Sequence, residues 1–220
     1  MSTKTNLMVL MLAAVSVATA AVTVVPELIN GGFDAANEWQ GWRYYDTTGS
    51  KTAFGWPAGY EGTLRSANYV QTAPALAGED YGLDRFAVDG CPAVSTGDVV
   101  QLGFAAIKYA DDASKLSVMI AEYIDNNADG HPDVFAGVQS GPTDNLFDIG
   151  LGVWGEYTTA EYTVQGANTN CLNILFQYRN ASGALVAGNY GIDSVQFVPE
   201  PATMAMLGLG AIGMIKRRKA

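Results

Sequence analysis

Asp125-Asn126-Asn127-Ala128-Asp129-Gly130-His131-Pro132-Asp133 gathers oxygen donors at alternating positions. Counted from Asp125, side-chain oxygens fall at loop positions 1 (Asp125), 3 (Asn127), 5 (Asp129) and 9 (Asp133). Gly130 takes position 6, and the backbone carbonyl of His131 is available at position 7. A hard cation wants oxygen-only ligands of this kind, and glycine permits the sharp turn that wraps it, so the stretch is a candidate calcium loop. Three carboxylates in one loop repel each other, and a divalent ion turns that repulsion into attraction. The competing reading is a tight acidic hairpin, in which Asn, Asp and Gly serve turn geometry alone.

Aromatic residues supply the second kind of chemistry. Trp39, Trp42, Tyr44, Tyr45, Phe54, Trp56 and Tyr60 crowd the first third of the chain. Sugar rings present C–H faces that stack on exposed aromatics, while Asn, Asp, Gln and Arg bond the hydroxyls. Trp56-Pro57-Ala58-Gly59-Tyr60 is rich in turn-formers, so Trp56 and Tyr60 are the candidates for such a platform. Trp39 and Trp42 are expected in the core, and core or loop packing is the alternative for every aromatic named.

Other chemistry is thinly represented. One histidine in 220 residues excludes any dyad, triad or zinc cluster that needs two imidazoles. A glycosidase needs only two carboxylates about 5–10 Å apart, but no spacing here singles out an acid and a base. Asn180-Ala181-Ser182 fits a glycosylation acceptor pattern, which alone carries little weight. With 12 basic against 22 acidic residues and a net charge of -10, nucleic acid is an improbable partner. At 49% hydrophobic and 15% charged, the chain can bury a core and does not read as disordered.

The two ends serve transport. Residues 1–20 read as a signal peptide: Lys4, an apolar run from Leu7 to Val17, then Ala18-Thr19-Ala20 as a small-x-small exit. At the other end, Pro199-Glu200-Pro201 stops the last strand, since proline lacks an N–H. An apolar segment from Ala202 to Ile215 and the basic run Lys216-Arg217-Arg218-Lys219 follow. Fourteen residues make a helix of about 21 Å. That is short of a hydrocarbon core of about 30 Å, so the expected short transmembrane helix is a marginal one, with its domain outside. Removing both ends leaves 7 basic residues (12 less Lys4 and the four of the tail) and 21 acidic ones (22 less Glu200), a domain near -14. Cys91 and Cys171 are an even pair in an exported domain, where an oxidising compartment permits a disulfide. Two separate buried thiols are the alternative.

The elements that must position these groups are strands. Val99 to Ile107, Lys115 to Ile124, Glu156 to Val164, Leu172 to Tyr178 and Tyr190 to Val198 are strand-length, with Asp111-Asp112 as a turn and no sustained helical period. Short strands without intervening helices predict an all-β chain, one antiparallel β-sandwich (jelly roll) over residues 21–198, with a sorting segment at 199–220.

Resemblances sharpen these expectations. Pro199, Glu200 and Pro201, the Gly-rich Met204 to Ile215 and the basic tail, in that order, resemble the PEP-CTERM sorting signal of Gram-negative bacteria. That likeness implies an exosortase-type processing enzyme as partner, a membrane anchor before processing, and delivery to the cell surface or extracellular matrix. Leu28-Ile29-Asn30-Gly31-Gly32-Phe33-Asp34 resembles the opening of galactose-binding-like jelly rolls, including carbohydrate-binding modules, without the spacer before Asn30. Gly191-Ile192-Asp193-Ser194-Val195-Gln196-Phe197 resembles their closing strand, with Ser194 in place of a second Asp, and Trp154-Gly155-Glu156-Tyr157-Thr158 resembles a late W-x-x-Y/F-T stretch. The resemblance implies a structural calcium ion near Asp34 and Asp193, whose alternative role is turn and strand-edge hydrogen bonding. The acidic loop resembles the D-x-N-x-D-G-x-x-D calcium loops of surface proteins more than an EF-hand, because position 12 is Ala136 and the flanks read as strands. The expected whole is a non-enzymatic exported protein, with calcium as its ion and extracellular polysaccharide as its partner. A structural matrix protein without a sugar site and a small glycan hydrolase are the alternatives.

Overall fold

Inward–outward alternation along long strands builds the centre of the molecule. The computed structural model describes residues 33, 42–46, 52–55, 59–62, 66–71, 81–84 and 91–198. Among them lie strands β1 (Arg43–Asp46), β2 (Thr52–Gly55), β3 (Ala67–Gln71), β4 (Tyr81–Asp84), β5 (Val99–Val100), β6 (Leu102–Lys108), β7 (Lys115–Ile124), β8 (Val134–Gln139), β9 (Leu146–Phe147), β10 (Gly155–Thr158), β11 (Tyr162–Thr163), β12 (Cys171–Arg179) and β13 (Gly188–Phe197). One sheet runs β1-β4-β12-β7-β8, with β9 also on β7, and the other runs β10-β6-β13-β3-β2. A two-stranded β11-β5 sheet completes the described strands, and all strand pairs are antiparallel. This is the antiparallel β-sandwich that the strand lengths predict.

The pairing of β12 with β7, from Cys171↔Tyr123 to Arg179↔Lys115, sets which residues meet the core. Leu116, Val118 and Ile120 point inward from β7, and Leu172, Ile174, Phe176 and Tyr178 from β12. They face Leu102, Phe104 and Ala106 of β6 and Tyr190, Ile192, Val195 and Phe197 of β13. Phe104 meets Phe176 edge-on at 5.6 Å and Tyr178 meets Tyr190 at 4.5 Å, so aromatic pairs lock sheet to sheet. Trp42, 2% exposed, joins this core against Phe33 and Phe176, where the sequence placed it. Trp39 lies outside the described residues.

Two details depart from simple alternation. Between Asp193 and Gln196 the register of β13 against β6 shifts, and Ser194 takes a φ of 51°. This bulge lets Ile192 and Val195, three residues apart, both face the core. The expected single strand from Glu156 to Val164 is instead two, because Thr159 is buried and turns the chain. Its N–H donates to the Leu102 carbonyl and its Oγ1 accepts from the Leu102 N–H, so β10 stays on β6 while β11 crosses to β5.

Cys91 and Cys171 are joined in a disulfide with Cα atoms 5.7 Å apart, closing a separation of 80 residues. Among the described residues no helix is long and apolar enough to cross a membrane. The apolar segment 202–215, Pro199, Glu200, Pro201 and the signal segment 1–20 lie outside the described residues.

Candidate functional site

The outer face of the five-stranded sheet carries the groups that converge. Pairing sets its rows: Thr158, Gly103 and Gln196 lie side by side, then Glu156, Ala105 and Asp193, then Ile107, Gly191 and Asn68. Small residues occupy the middle of the first two rows, and a cleft of about 170 Å³ opens over them. Tyr60, Glu156, Thr158, Ser194 and Gln196 supply its polar rim, and Val198 closes one end.

Tyr60 reaches this face from the short turn Tyr60–Gly62, where Glu61 and Gly62 have φ of 51° and 82°. Asp193 holds the turn down. Buried at the bulge, it accepts the Tyr60 N–H at Oδ2 (2.8 Å) and the Ser194 N–H at Oδ1 (2.6 Å). The Tyr60 hydroxyl donates to Glu156 Oε1 at 3.0 Å. That bond raises the hydroxyl's pKa above the usual tyrosine value, with desolvation and the nearby charges of Glu156 and Glu61 adding to it.

The Tyr60 ring lies 6.0 Å from that of Trp154, inclined at 56°. Trp154 follows the apolar turn of Leu151 and Val153, both exposed. Its ring and the Tyr109 hydroxyl lie across Gly191. A Cβ there would stand 2.8 Å from Ile107 Cγ2, 2.9 Å from Tyr109 Oη and 3.2 Å from Trp154 Cη2. Glycine is needed at 191 for close approach, so that two rings can rest on the sheet. Tyr109 hydrogen-bonds Ser66, and burial of its hydroxyl end pushes its pKa up even so. Tyr60 and Trp154 are half-buried and Tyr109 is 39% exposed; Tyr60 lines the cleft, Trp154 stands against Tyr60, and Tyr109 lies by Trp154 over Gly191.

Of the sequence candidates, only Tyr60 and Asp193 come together here. Trp56 and Asp34 lie outside the described residues. Trp154, Glu156, Tyr109 and Gln196 were not singled out as ligand groups. The local signal is the alternation Trp154, Glu156, Thr158, which puts Glu156 and Thr158 on one face of the edge strand β10 with Trp154 just before it.

The acidic loop stands apart, between β7 and β8. Its donors are oxygen-only, as calcium requires. Their oxygens, however, are turned to the loop's own donors. Asp125 accepts the Gly130 N–H at Oδ2 (2.8 Å) and the Asn127 N–H at Oδ1 (3.2 Å). Asp129 accepts the His131 N–H (2.9 Å) and the Asn127 side-chain amide (2.9 Å), and Asp133 accepts the Asn126 N–H (2.8 Å). Desolvation raises the pKa of Asp125, but the N–H donors of Gly130, Ala128, Asn127 and Asp129 outweigh it and hold the carboxyl below its usual range. Backbone amides thus supply the positive ends that offset the loop's charge. Among the described residues no three His, Cys, Asp or Glu side chains converge as a cation site. The donor chemistry fits a hard cation, and the side-chain arrangement does not gather around one.

Residues 197–219 match the model of the PEP-CTERM protein-sorting motif. The motif implies export, processing by an exosortase and sorting to the cell surface. No curated protein matches the chain in sequence. Among solved structures, the chain is similar to an arabinose-bound α-L-arabinofuranosidase at a TM-score of 0.51 and 11% identity, covering 81% of this chain and 27% of that one. It is also similar to the CBM22-1 xylan-binding domain of a Paenibacillus barcinonensis protein (TM-score 0.48, 14% identity, 81% of this chain, 96% of that one). A family 11 carbohydrate-binding module from Clostridium thermocellum, in complex with a β-1,3-1,4-mixed-linked tetrasaccharide, gives 0.46 and 16%, covering 80% and 96%. At 11% identity the likeness to the arabinofuranosidase is one of fold alone.

Proposed function

We propose that this is a non-enzymatic protein of the cell surface or extracellular matrix that binds polysaccharide on the outer face of its five-stranded sheet. One observation carries the reading: Tyr60 lines a cleft rimmed by Glu156, Thr158, Ser194 and Gln196, with the half-buried Trp154 ring 6.0 Å from it and Tyr109 next to Trp154 over Gly191. Apolar ring faces stack on sugar C–H faces, and the rim supplies donors and acceptors for hydroxyls. Asp193 acts behind the surface, fixing the Tyr60 turn through a backbone amide.

Calcium at the loop of Asp125, Asn127, Asp129, His131 and Asp133 belongs to the same proposal as a stabilising ion. Its support is the oxygen-only donor spacing. The PEP-CTERM segment, Pro199, Glu200 and Pro201 included, would hold the protein at a Gram-negative inner membrane until processing.

The test is an equilibrium binding screen of the full chain against a panel of polysaccharides and their oligomers, followed by Trp fluorescence. Removing a stacking ring at the centre of such a site costs about tenfold or more in affinity, so Trp154→Ala should weaken every glycan bound. A panel with no binder leaves a structural matrix protein as the reading, and turnover of any glycan makes it a hydrolase.

A further inference from the structure

We propose that the cleft selects amine-bearing glycans, with Glu156 receiving the ammonium group of a hexosamine unit against the rings of Tyr60 and Trp154. This rests on the glycan reading of the cleft and names the ligand's charge class.

Among the described residues, no cation compensates the charge of the Glu156 carboxylate. Glu156 is exposed at the cleft and takes the Tyr60 hydroxyl on Oε1. Among the described residues no other group bonds it, and no Lys or Arg pairs with it. The lysines and arginine whose side chains are described are engaged elsewhere. Lys108 is buried on Asp112 and the Ser114 carbonyl, Lys115 pairs with Asp148, and Arg179 binds Gln177 and the Gly183 carbonyl. The rest of the rim, Thr158, Ser194 and Gln196, is neutral and suits hydroxyls.

Chemistry then separates three ligand classes. A uronate would bring a second anion beside Glu156 and into a domain near -14, and both repel it. A neutral sugar would bond the carboxylate through a hydroxyl but leave its charge unmatched. A protonated amine matches the charge by a charge-assisted hydrogen bond, and the face of an aromatic ring beside the carboxylate, Tyr60 or Trp154, attracts the same cation. The hydrogen bond to Glu156 raises the pKa of the Tyr60 hydroxyl, so this hydroxyl stays neutral and does not supply the matching charge.

The experiment compares a deacetylated glucosamine oligomer, its N-acetylated counterpart and a uronate oligomer of equal length, by equilibrium binding to the full chain. With the amine protonated, the deacetylated oligomer should bind about tenfold tighter than the acetylated one, and the uronate weakest. The preference should fade with added salt and as the pH rises past the amine's own pKa. Glu156→Gln should bring the first two affinities together. Asp111→Asn, at an exposed carboxylate in the β6–β7 turn, should keep the preference, because it removes the same charge without touching the cleft. Equal binding of the two oligomers to wild type, or a preference untouched by Glu156→Gln, overturns this inference and leaves the glycan reading standing. If no oligomer binds and the polysaccharide panel is also empty, both fall.

Discussion

Replacing Glu122 by glutamine keeps the shape of a fully buried side chain and exchanges one oxygen for an NH2 group. In the native protein four donors converge on that carboxylate. Oε1 accepts from the Tyr162 hydroxyl (2.7 Å) and the Gln165 N–H (2.8 Å). Oε2 accepts from the Gly166 N–H (2.6 Å) and the Thr169 hydroxyl (2.8 Å). However the amide is turned, its NH2 faces one hydroxyl and one backbone N–H. The hydroxyl can rotate and accept; the N–H cannot, and a buried unsatisfied donor costs about 1–3 kcal/mol. Loss of charge assistance at the remaining bonds adds to this, so Glu122→Gln should cost about 2–4 kcal/mol. For a chain of this size that is a fall in Tm of roughly 4–16 °C. Urea unfolding at neutral pH should show a lower midpoint with an unchanged slope. Hydrogen exchange should accelerate first at Gln165 and Gly166.

The pH dependence gives a second check. Burial pushes the Glu122 carboxyl up, yet the N–H of Gln165, the hydroxyls of Tyr162 and Thr169 and the N–H of Gly166 together hold it below its usual value. A depressed folded pKa means stability that is present above the unfolded value and lost as pH falls through the folded one. The gap between wild type and Glu122→Gln should therefore close in acid, where protonated Glu122 becomes the near-equal of glutamine. A variant within about 0.5 kcal/mol of wild type at neutral pH, below the cost of a single buried orphan donor, would refute the reasoning. So would a gap that does not change with acid.

Three further outcomes follow from the same structure. Gly191→Ala drives a Cβ toward Ile107, Tyr109 and Trp154, so it should cost about 1–3 kcal/mol by overpacking, blue- or red-shift Trp emission and weaken glycan binding by titration. Calcium at tenfold excess over its Kd should stabilise the folded domain by about 1.4 kcal/mol, with Asp125→Ala plus Asp129→Ala removing most of the rise in Tm. A magnesium effect equal to that of calcium, or a double variant with the full response, reduces the loop to a turn. Alanines at Pro199, Glu200 and Pro201 should leave export intact and block C-terminal processing, read by the size of the protein in fractionated cells. Normal processing would remove the P-E-P string as the recognition element.

The sequence by itself determined what depends on short stretches read in order. The sorting segment is recognised as a linear string, so no fold is needed to see it. Strand positions follow from a period of two, which is local, and the run Lys115 to Ile124 coincides with β7. A large apolar ring beside an opening strand seeks the core, so Trp42 was placed correctly. Tyr60 lies in a short turn, as the turn-formers around it predict. Tertiary structure alone decided which strands adjoin, and so which side chains meet. Trp154 and Tyr109 meet over the sheet only because Gly191, more than thirty residues away, lies in β13 beside β6 and lacks a Cβ. Glu122 reads as one polar residue in a strand until the 162–169 segment folds over it with four donors. Thr159 breaks the run Glu156 to Val164 only because Leu102 offers both partners of a backbone pair. Hydrogen bonds and ring contacts act over a few ångströms, and chain order alone does not say which distant residues come within that reach.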